Sequence, residues 1–171
     1  AGEREALEEA LGDKYRKRVK RESRLAMNYI ALRIPEMMPR YRQIEETVHA
    51  MISEAFSNAV ITPRDTTTED VEWWLRQKVR DTGMTTRFQT SVSRFSADVP
   101  GGEGGPNAVI QRGDMLWTDF GVVAMGLRTD TQHLGYVLPV GETEVPTGLQ
   151  QCLKNSNRLQ DILLAHMEPG Q

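Results

Sequence analysis

The stretch that decides the fold is DMLWTDFGVVAMGLRTDTQHLGYVL, residues 114–138, which reads as two strand-forming segments joined by a short turn. Each segment carries an aspartate, Asp119 in the first and Asp130 in the second. Aspartate is depleted in β-strands and is almost never fully buried unless it is paired. Two aspartates in one hairpin therefore mark a candidate functional site as well as a fold.

The spacing of the two aspartates suggests that they meet. Counting outward from a turn at Ala124–Leu127 places Asp119 and Asp130 roughly opposite each other, about 5 Å apart if they share a face of the sheet. Like charges in that position destabilise a strand pair, so a bound cation, a shared proton or a basic neighbour must compensate. Three interpretations follow: solvent-facing aspartates near Arg128, an acid/base pair, or oxygen ligands of divalent metals.

Helices are predicted on both sides of the hairpin. Thr66 and Glu69 predict a capping box at the start of one of them, and a third helix begins at Pro146 or Thr147 and ends at Glu168-Pro169-Gly170. The predicted inward residues are Ile44, Val48, Met51, Ile52, Ala55, Phe56 and Ala59 in the first helix, Val71, Trp74, Leu75 and Val79 in the second, and Leu149, Cys152, Leu153, Leu159, Ile162 and Leu163 in the third. Residues 85–95 favour a strand. Because helices and strands do not alternate strictly, an α+β fold is favoured.

Residues 1–40 are predicted to form a charged helical arm, broken near Pro35 and Pro39. The arm contains a basic run, KYRKRVKRESR, at residues 14–24. We interpret this run as a solvated, partly helical surface, with binding to an anionic surface or to nucleic acid as the weaker alternative. The formal net charge of −3 argues against nucleic acid as the main partner.

A family resemblance adds to this interpretation of the hairpin. The segment Gly113-Asp114-Met115-Leu116-Trp117-Thr118-Asp119-Phe120-Gly121, followed by Gly126 and Thr129-Asp130, resembles the hairpin of the pita-bread metallopeptidases. These are the methionine aminopeptidase, aminopeptidase P, prolidase and creatinase family, whose pattern is G-D-x-x-x-x-D-x-G and then G-x-x-x-D. The flanking helices are also similar, so the resemblance covers roughly residues 45–171, and bacterial Xaa-Pro aminopeptidase-like members are the most similar.

The resemblance implies the first half of a pita-bread fold, with helices packed on a curved, mostly antiparallel sheet. It also implies two divalent metal ions, manganese, cobalt or zinc, held by five protein ligands. Asp119 would chelate one metal and Asp130 would bridge both, so that a metal-activated water attacks the scissile carbonyl. The implied activity is the removal of N-terminal residues or dipeptides from peptides, with a Xaa-Pro preference.

The chain also departs from the family pattern. The remaining ligands, one His and two Glu, are expected beyond residue 171, so we assign no catalytic residue and expect the chain alone to be inactive. No histidine lies between residues 50 and 132, where the family has a substrate-contacting His, and Pro63-Arg64-Asp65-Thr66 lacks the family's glycine. The alternative function is therefore a non-catalytic, pita-bread-like module that binds peptides or proteins.

The three histidines are best explained without a catalytic role. His49 lies in an apolar helix, and His133 falls on the face of its strand opposite to Asp130. His166 lies near the predicted end of the last helix. We therefore expect His49 and His133 to be structural and His166 to be a helix-end residue.

The expected organisation is an arm at residues 1–40 and the first half of a metallopeptidase domain at residues 41–171. A peptide is the expected substrate. Nucleic acid is not an expected partner because of the net negative charge, and a membrane is not expected because no apolar run is long enough to span a bilayer. A half-domain exposes a sheet face, so we expect a C-terminal half or a second copy to cover it. The sequence leaves the location open between the cytoplasm and export, the latter if a signal peptide was removed before Ala1.

Overall fold

The computed structural model describes residues 2–97, 99, 102 and 104–168. The described part is α+β, with helices in the order α1, α2, α3, α4, then five short strands, then α5. The helices are α1 (Gly2–Arg16), α2 (Arg24–Ala31), α3 (Met37–Ala55), α4 (Thr68–Asp81) and α5 (Thr147–Ala165). The strands are β1 (Ser91–Phe95), β2 (Met115–Phe120), β3 (Val123–Ala124), β4 (Leu127–Arg128) and β5 (Thr131–Tyr136).

The chain divides into two compact units, residues 1–40 and residues 41–171. In the first unit, α1 is kinked at Gly12, and no residue of α1 or α2 is buried. The second unit holds the sheets, which lie beside α3 and α4. Residues of these helices and of the strands together form the hydrophobic core. The prediction that residues 41–171 are half of a larger catalytic domain stays a prediction.

Two predicted helix starts differ from the structure. Pro39 lies in the first turn of α3 rather than breaking the arm, because a first-turn residue needs no N–H partner within the helix. The cap of α4 is Thr67, one residue later than predicted. Its hydroxyl accepts from the Asp70 N–H while the Asp70 carboxylate accepts from the Thr67 N–H. These hydrogen bonds hold the pKa of Asp70 below its ordinary value.

The hairpin forms where the sequence predicts it. Strand β2 is the centre of an antiparallel sheet in the order β1-β2-β5, and β3 and β4 extend it as a two-stranded ribbon. Met125 and Gly126 form the turn with φ angles of 51° and 76°, as a type I′ hairpin turn requires at both central positions. The predicted strand at residues 85–95 is regular only from Ser91 onwards.

One face of the sheet is buried against the helices and the other is open. Along β2, Leu116, Thr118 and Phe120 are buried and the alternate residues are only partly so. The buried face meets the inward residues of α3 and α4, among them Val48, Val71 and Leu75, each with no exposed area. Each fully buried aliphatic or aromatic side chain contributes about 1.5–3 kcal/mol to stability. The helices therefore fix the sheet from behind and leave the opposite face accessible.

Helix α5 does not bury its predicted inward face. No residue of α5 is buried, and Leu153, Leu159, Ile162 and Leu163 are each between 47% and 59% exposed. An amphipathic pattern forms a helix but is buried only where another surface meets it, and the described residues provide none here. Pro169 and Gly170, predicted to end this helix, lie outside the described residues.

In the described part of the chain, no helix combines the length and the apolar character needed to cross a membrane.

Candidate metal centre

The structure brings Asp119 and Asp130 together, although not in the predicted register. Asp119 is opposite Gln132 on β5 and Ser91 on β1. Asp130 lies in the link between β4 and β5. Counted outward from the paired residues Ala124 and Leu127, Asp119 is five residues away but Asp130 is only three. The prediction of a directly opposite pair is therefore wrong, and the two aspartates are diagonal neighbours on the hairpin.

Gly121 allows the two strands to approach closely beside the aspartates. A Cβ at this position would lie 2.2 Å from the carbonyl oxygen of Thr129 and 3.0 Å from Cε1 of Phe88. No side chain fits at the first distance, so only glycine is compatible with this backbone. Gly121 is thus a geometric requirement of the site rather than a flexible point.

Three threonines that were not predicted as site residues hold the strands together around Asp119. The Thr129 hydroxyl accepts from the Val122 N–H at 2.9 Å, and the hydroxyls of Thr131 and Thr118 donate to the carbonyls of Phe120 and Ser91. Thr118 has no exposed area, and a buried hydroxyl needs a hydrogen-bond partner. The sequence signal was Thr118 itself, because a threonine in phase with Leu116 and Phe120 lies on the buried face of the strand and its hydroxyl must find a partner there.

The surroundings of Asp119 disfavour its charged form. Burial, then the negative charge of Asp130 and a hydrogen bond between the two carboxyl groups, raise the pKa of Asp119 above its ordinary value. Two ionised carboxylates only accept hydrogen bonds, so the proximity of the two groups is unfavourable while both are charged. Oδ1 of Asp119 is buried without a hydrogen-bond partner in the described part of the chain.

The interpretation that a basic neighbour compensates the pair is not supported. Among the described residues, neither aspartate has a Lys, Arg or His nitrogen within ion-pair distance. Arg128 is exposed, and its carbonyl, rather than its guanidinium, is used, as acceptor from the Tyr41 hydroxyl. A shared proton or a bound cation therefore remains as the way to relieve the repulsion.

The donor set fits a hard divalent cation but is incomplete. Carboxylate oxygens are ligands that manganese, magnesium and calcium prefer, and the unpartnered Oδ1 of Asp119 is available for one. Within residues 2–97, 99, 102 and 104–168, however, no group of three or more His, Cys, Asp or Glu side chains is arranged to hold a metal ion. The hairpin thus provides two carboxylates and needs further ligands.

At the other end of β2, Asp114 has a different environment. Its Oδ2 accepts from Nη1 of Arg94 and from the Gln111 N–H, both at 2.7 Å, and the side chain is 1% exposed. This buried ion pair fastens the segment before β2 to β1. The hairpin pattern therefore contains one structural aspartate, Asp114, and one candidate ligand, Asp119.

The histidines lie away from the open face, as expected. His133 is opposite Thr118 on the buried side of the sheet, and its ring meets that of His49 edge to face with centroids 4.6 Å apart. Burial, then the charge of His49, lower the pKa of His133. Nearby Glu45 has its pKa raised by burial and lowered less by His49. His166 caps the end of α5.

The open face continues from the aspartates into an apolar groove. This depression of about 350 Å³ is lined by Ser93, Phe95, Met115, Trp117 and Leu134. Leu134 is 54% exposed. Asp119 belongs to the same face because it alternates in phase with Met115 and Trp117 along β2. The candidate site is therefore the polar end of an otherwise apolar surface.

Comparison with solved structures relates this architecture to a peptidase. The chain is similar to the crystal structure of X-Pro aminopeptidase from Thermotoga maritima MSB8, with 17% sequence identity and a TM-score of 0.50. The match covers 70% of this chain and 32% of that chain, so this chain spans about a third of the length of that protein. No family model and no curated protein matches the chain. The five helices and antiparallel sheets agree with part of a pita-bread, peptidase-like fold.

Proposed function

We propose that this chain supplies Asp119 and Asp130 as ligands to a dinuclear metal centre in a peptidase that removes N-terminal residues, with a Xaa-Pro preference. The observation that carries the proposal is the buried Oδ1 of Asp119, which has no hydrogen-bond partner among the described residues and lies beside a second carboxylate. The fold shared with an X-Pro aminopeptidase supports the reaction class. Because the chain spans about a third of that protein, the activity belongs to a complete protein with the missing ligands.

The chain's own residues have distinct roles in this proposal. Asp119 and Asp130 would hold the metal ions, and Gly121 with Thr129 keeps the two strands at the separation that their carboxylates need. When bound, divalent metal ions supply Lewis acidity and an activated water for peptide hydrolysis. The raised pKa of Asp119 means that the cation competes with a proton for this carboxylate, so binding releases a proton.

Metal binding tests the ligand assignment in the chain as it stands. We expect titration with Mn²⁺, followed by calorimetry in two buffers of different ionisation enthalpy, to reveal weak binding with proton release. Asp119→Asn removes the charge but keeps the shape, and it should weaken Mn²⁺ binding at least about tenfold. Asp161→Asn on exposed helix α5 is the matched control and should bind as the unchanged chain does.

Cleavage tests the activity in the full-length gene product. A Xaa-Pro peptide should be cleaved at its first bond only when metal is present, and Asp119→Asn should abolish turnover while Asp161→Asn retains it. Metal-dependent cleavage that persists undiminished in Asp119→Asn would exclude the ligand assignment. If Asp119→Asn loses Mn²⁺ binding but the unchanged full-length product cleaves no peptide even with metal, the ligand assignment stands and the peptidase activity is excluded.

The alternative is a non-catalytic module of the same fold that binds peptides or proteins. The absence of any histidine between residues 50 and 132 favours it, since the resembled family has a substrate-contacting histidine in that region. Calorimetry on the full-length product separates the two functions. Stoichiometric binding of two metal ions together with turnover excludes the module, whereas peptide binding without metal or turnover supports it.

We further propose that the open face is covered in the complete protein by a C-terminal half or by a second copy. The support is the apolar groove around Trp117 and Leu134, because contiguous exposed apolar surface marks an interaction site. Sedimentation of the full-length product distinguishes the two sources of cover: a monomer requires a C-terminal half.

A further inference from the structure

A second surface lies in the first unit, outside the hairpin. The basic segment, Lys14–Arg24, spans the end of α1, the link after it and the first residue of α2. Residues 14–40 contain nine Lys and Arg but only two acidic residues, although the whole chain is negative. Five acidic residues precede the segment, between residues 3 and 13. Positive charge is thus concentrated in one short part of an acidic chain.

Directly after the basic segment comes an exposed apolar segment, residues 25–34. All of its large apolar side chains are exposed, from 45% for Ile34 to 81% for Tyr29. These side chains are Leu25, Met27, Tyr29, Ile30, Leu32 and Ile34. Single exposed apolar residues need no explanation, but six of them within ten consecutive residues are typical of an interaction surface.

We propose that residues 14–34 bind the surface of an anionic phospholipid membrane, with the basic segment against the phosphates and the apolar segment in the headgroup–acyl boundary. Basic residues beside exposed leucine, isoleucine and aromatic side chains are the composition of interfacial membrane-binding elements. A nucleic acid would use the charges and leave the aliphatic side chains exposed to water. The basic segment thus indicates an anionic partner, and the exposed apolar segment indicates that this partner is lipid.

This proposal departs from the expectation that the chain has no membrane partner, which rested on the lack of an apolar run long enough to span a bilayer. Peripheral binding needs no spanning helix, since an interfacial element enters only the outer part of the bilayer. The acidic residues before Lys14 would be repelled by anionic lipid, which confines the contact to the segment that follows them.

Co-sedimentation of the whole chain with large vesicles tests the proposal. Vesicles of phosphatidylcholine containing roughly one third phosphatidylglycerol should bind at least about tenfold more protein than pure phosphatidylcholine vesicles. Raising the salt to about 0.5 M should remove most of this binding, because the Debye length then falls to a few ångström. Equal binding to both kinds of vesicle would overturn the proposal.

Two sets of variants separate charge from apolar contact. Neutralising the basic segment with Lys17→Gln, Arg18→Gln, Lys20→Gln and Arg21→Gln should abolish the preference for anionic vesicles. Exchanging the apolar segment with Leu25→Ser, Tyr29→Ser and Ile30→Ser should lower binding about tenfold at unchanged charge. Matched exchanges on α5, Leu153→Ser, Leu159→Ser and Leu163→Ser, should leave it unchanged. Circular dichroism melting checks that each variant stays folded.

Two outcomes would assign the surface to another partner. Salt-sensitive binding to a DNA duplex that the apolar variant retains, with no vesicle binding, would assign the basic segment to nucleic acid. Sedimentation showing that the apolar variant dissociates a dimer, with vesicle binding unaltered, would assign the apolar segment to self-association. Either result overturns the membrane proposal and leaves the proposed peptidase function untouched.

Discussion

Strand β2 has an aspartate at each end, and the two have opposite environments. Asp114, just before the strand, is 1% exposed and accepts hydrogen bonds from Arg94 and from the Gln111 backbone. Asp119, near the other end, faces the carboxylate of Asp130, and its Oδ1 has no hydrogen-bond partner among the described residues.

The difference separates a structural carboxylate from a candidate functional one. A buried charge is tolerated when it is paired and hydrogen-bonded, and Asp114 meets both conditions within the chain. Among the described residues Asp119 has no basic partner and its Oδ1 has no hydrogen bond, so the fold holds it at a cost that a cation or a proton can relieve. Carboxylates with strongly perturbed surroundings concentrate at functional sites. The contrast therefore identifies Asp119, rather than Asp114, as the candidate metal ligand.

The largest expected effect is at the paired end. Asp114→Ala leaves the Arg94 guanidinium buried without its partner, and removal of one member of a buried ion pair costs about 3–5 kcal/mol. The free energy of unfolding from urea denaturation should fall by about this amount. The double variant Arg94→Met, Asp114→Leu is the control and should be more stable than Asp114→Ala. If the double variant is the less stable of the two, the ion pair is not what holds this end.

The next effect concerns the close approach of the strands. Gly121→Ala introduces a Cβ that would lie 2.2 Å from the carbonyl oxygen of Thr129, so the strands must separate at a cost of about 1–3 kcal/mol. Mn²⁺ binding should weaken in parallel. Gly148→Ala on α5 is the matched control, because a Cβ there meets no atom within 4 Å. The control should be neutral or slightly stabilising, and equal losses in the two variants would contradict the steric explanation.

A smaller effect, of opposite sign, is expected at the unpaired end. Asp119→Asn removes one of two like charges and should stabilise the metal-free chain by up to about 1 kcal/mol near neutral pH. The folded-state pKa of Asp119 is raised, so the unchanged chain loses stability as the pH rises through the carboxylate range. Urea titrations at several pH values should therefore show the advantage of Asp119→Asn growing with pH. A destabilised variant at neutral pH would mean that the carboxylate pair is satisfied after all.

The smallest expected effect on stability is that of His133, on the buried side of the sheet opposite Thr118 of β2. The pKa of His133 is lowered from its ordinary value of 6.5 by burial and by His49. The unfolded chain therefore takes up a proton first as the pH falls, and the folded state loses stability below about pH 6.5. His133→Gln should flatten this part of the stability profile. An NMR titration of the His133 ring gives the direction of the shift directly.

Much of the fold could be predicted from local sequence. The strand-forming segments around Asp119 and Asp130 predicted the hairpin, and the helical spacing of Val48, Val71 and Leu75 identified part of the core. The turn at Met125 and Gly126 was predicted in place. The pairing of the aspartates was not, because Asp119 lies five residues before Ala124 whereas Asp130 lies only three residues after Leu127. Asp119 is therefore opposite Gln132 rather than Asp130.

The candidate site divides in the same way. The sequence by itself determined which residues carry the chemistry, since two aspartates within strand-forming segments need an explanation wherever the strands pair. Only the tertiary structure decided that Arg94 pairs with Asp114 while Asp119 meets another carboxylate, and that the predicted inward face of α5 stays exposed. The physical reason is that periodicity and propensity are local properties of the chain, whereas burial and the partner of a charge depend on residues that only folding brings together.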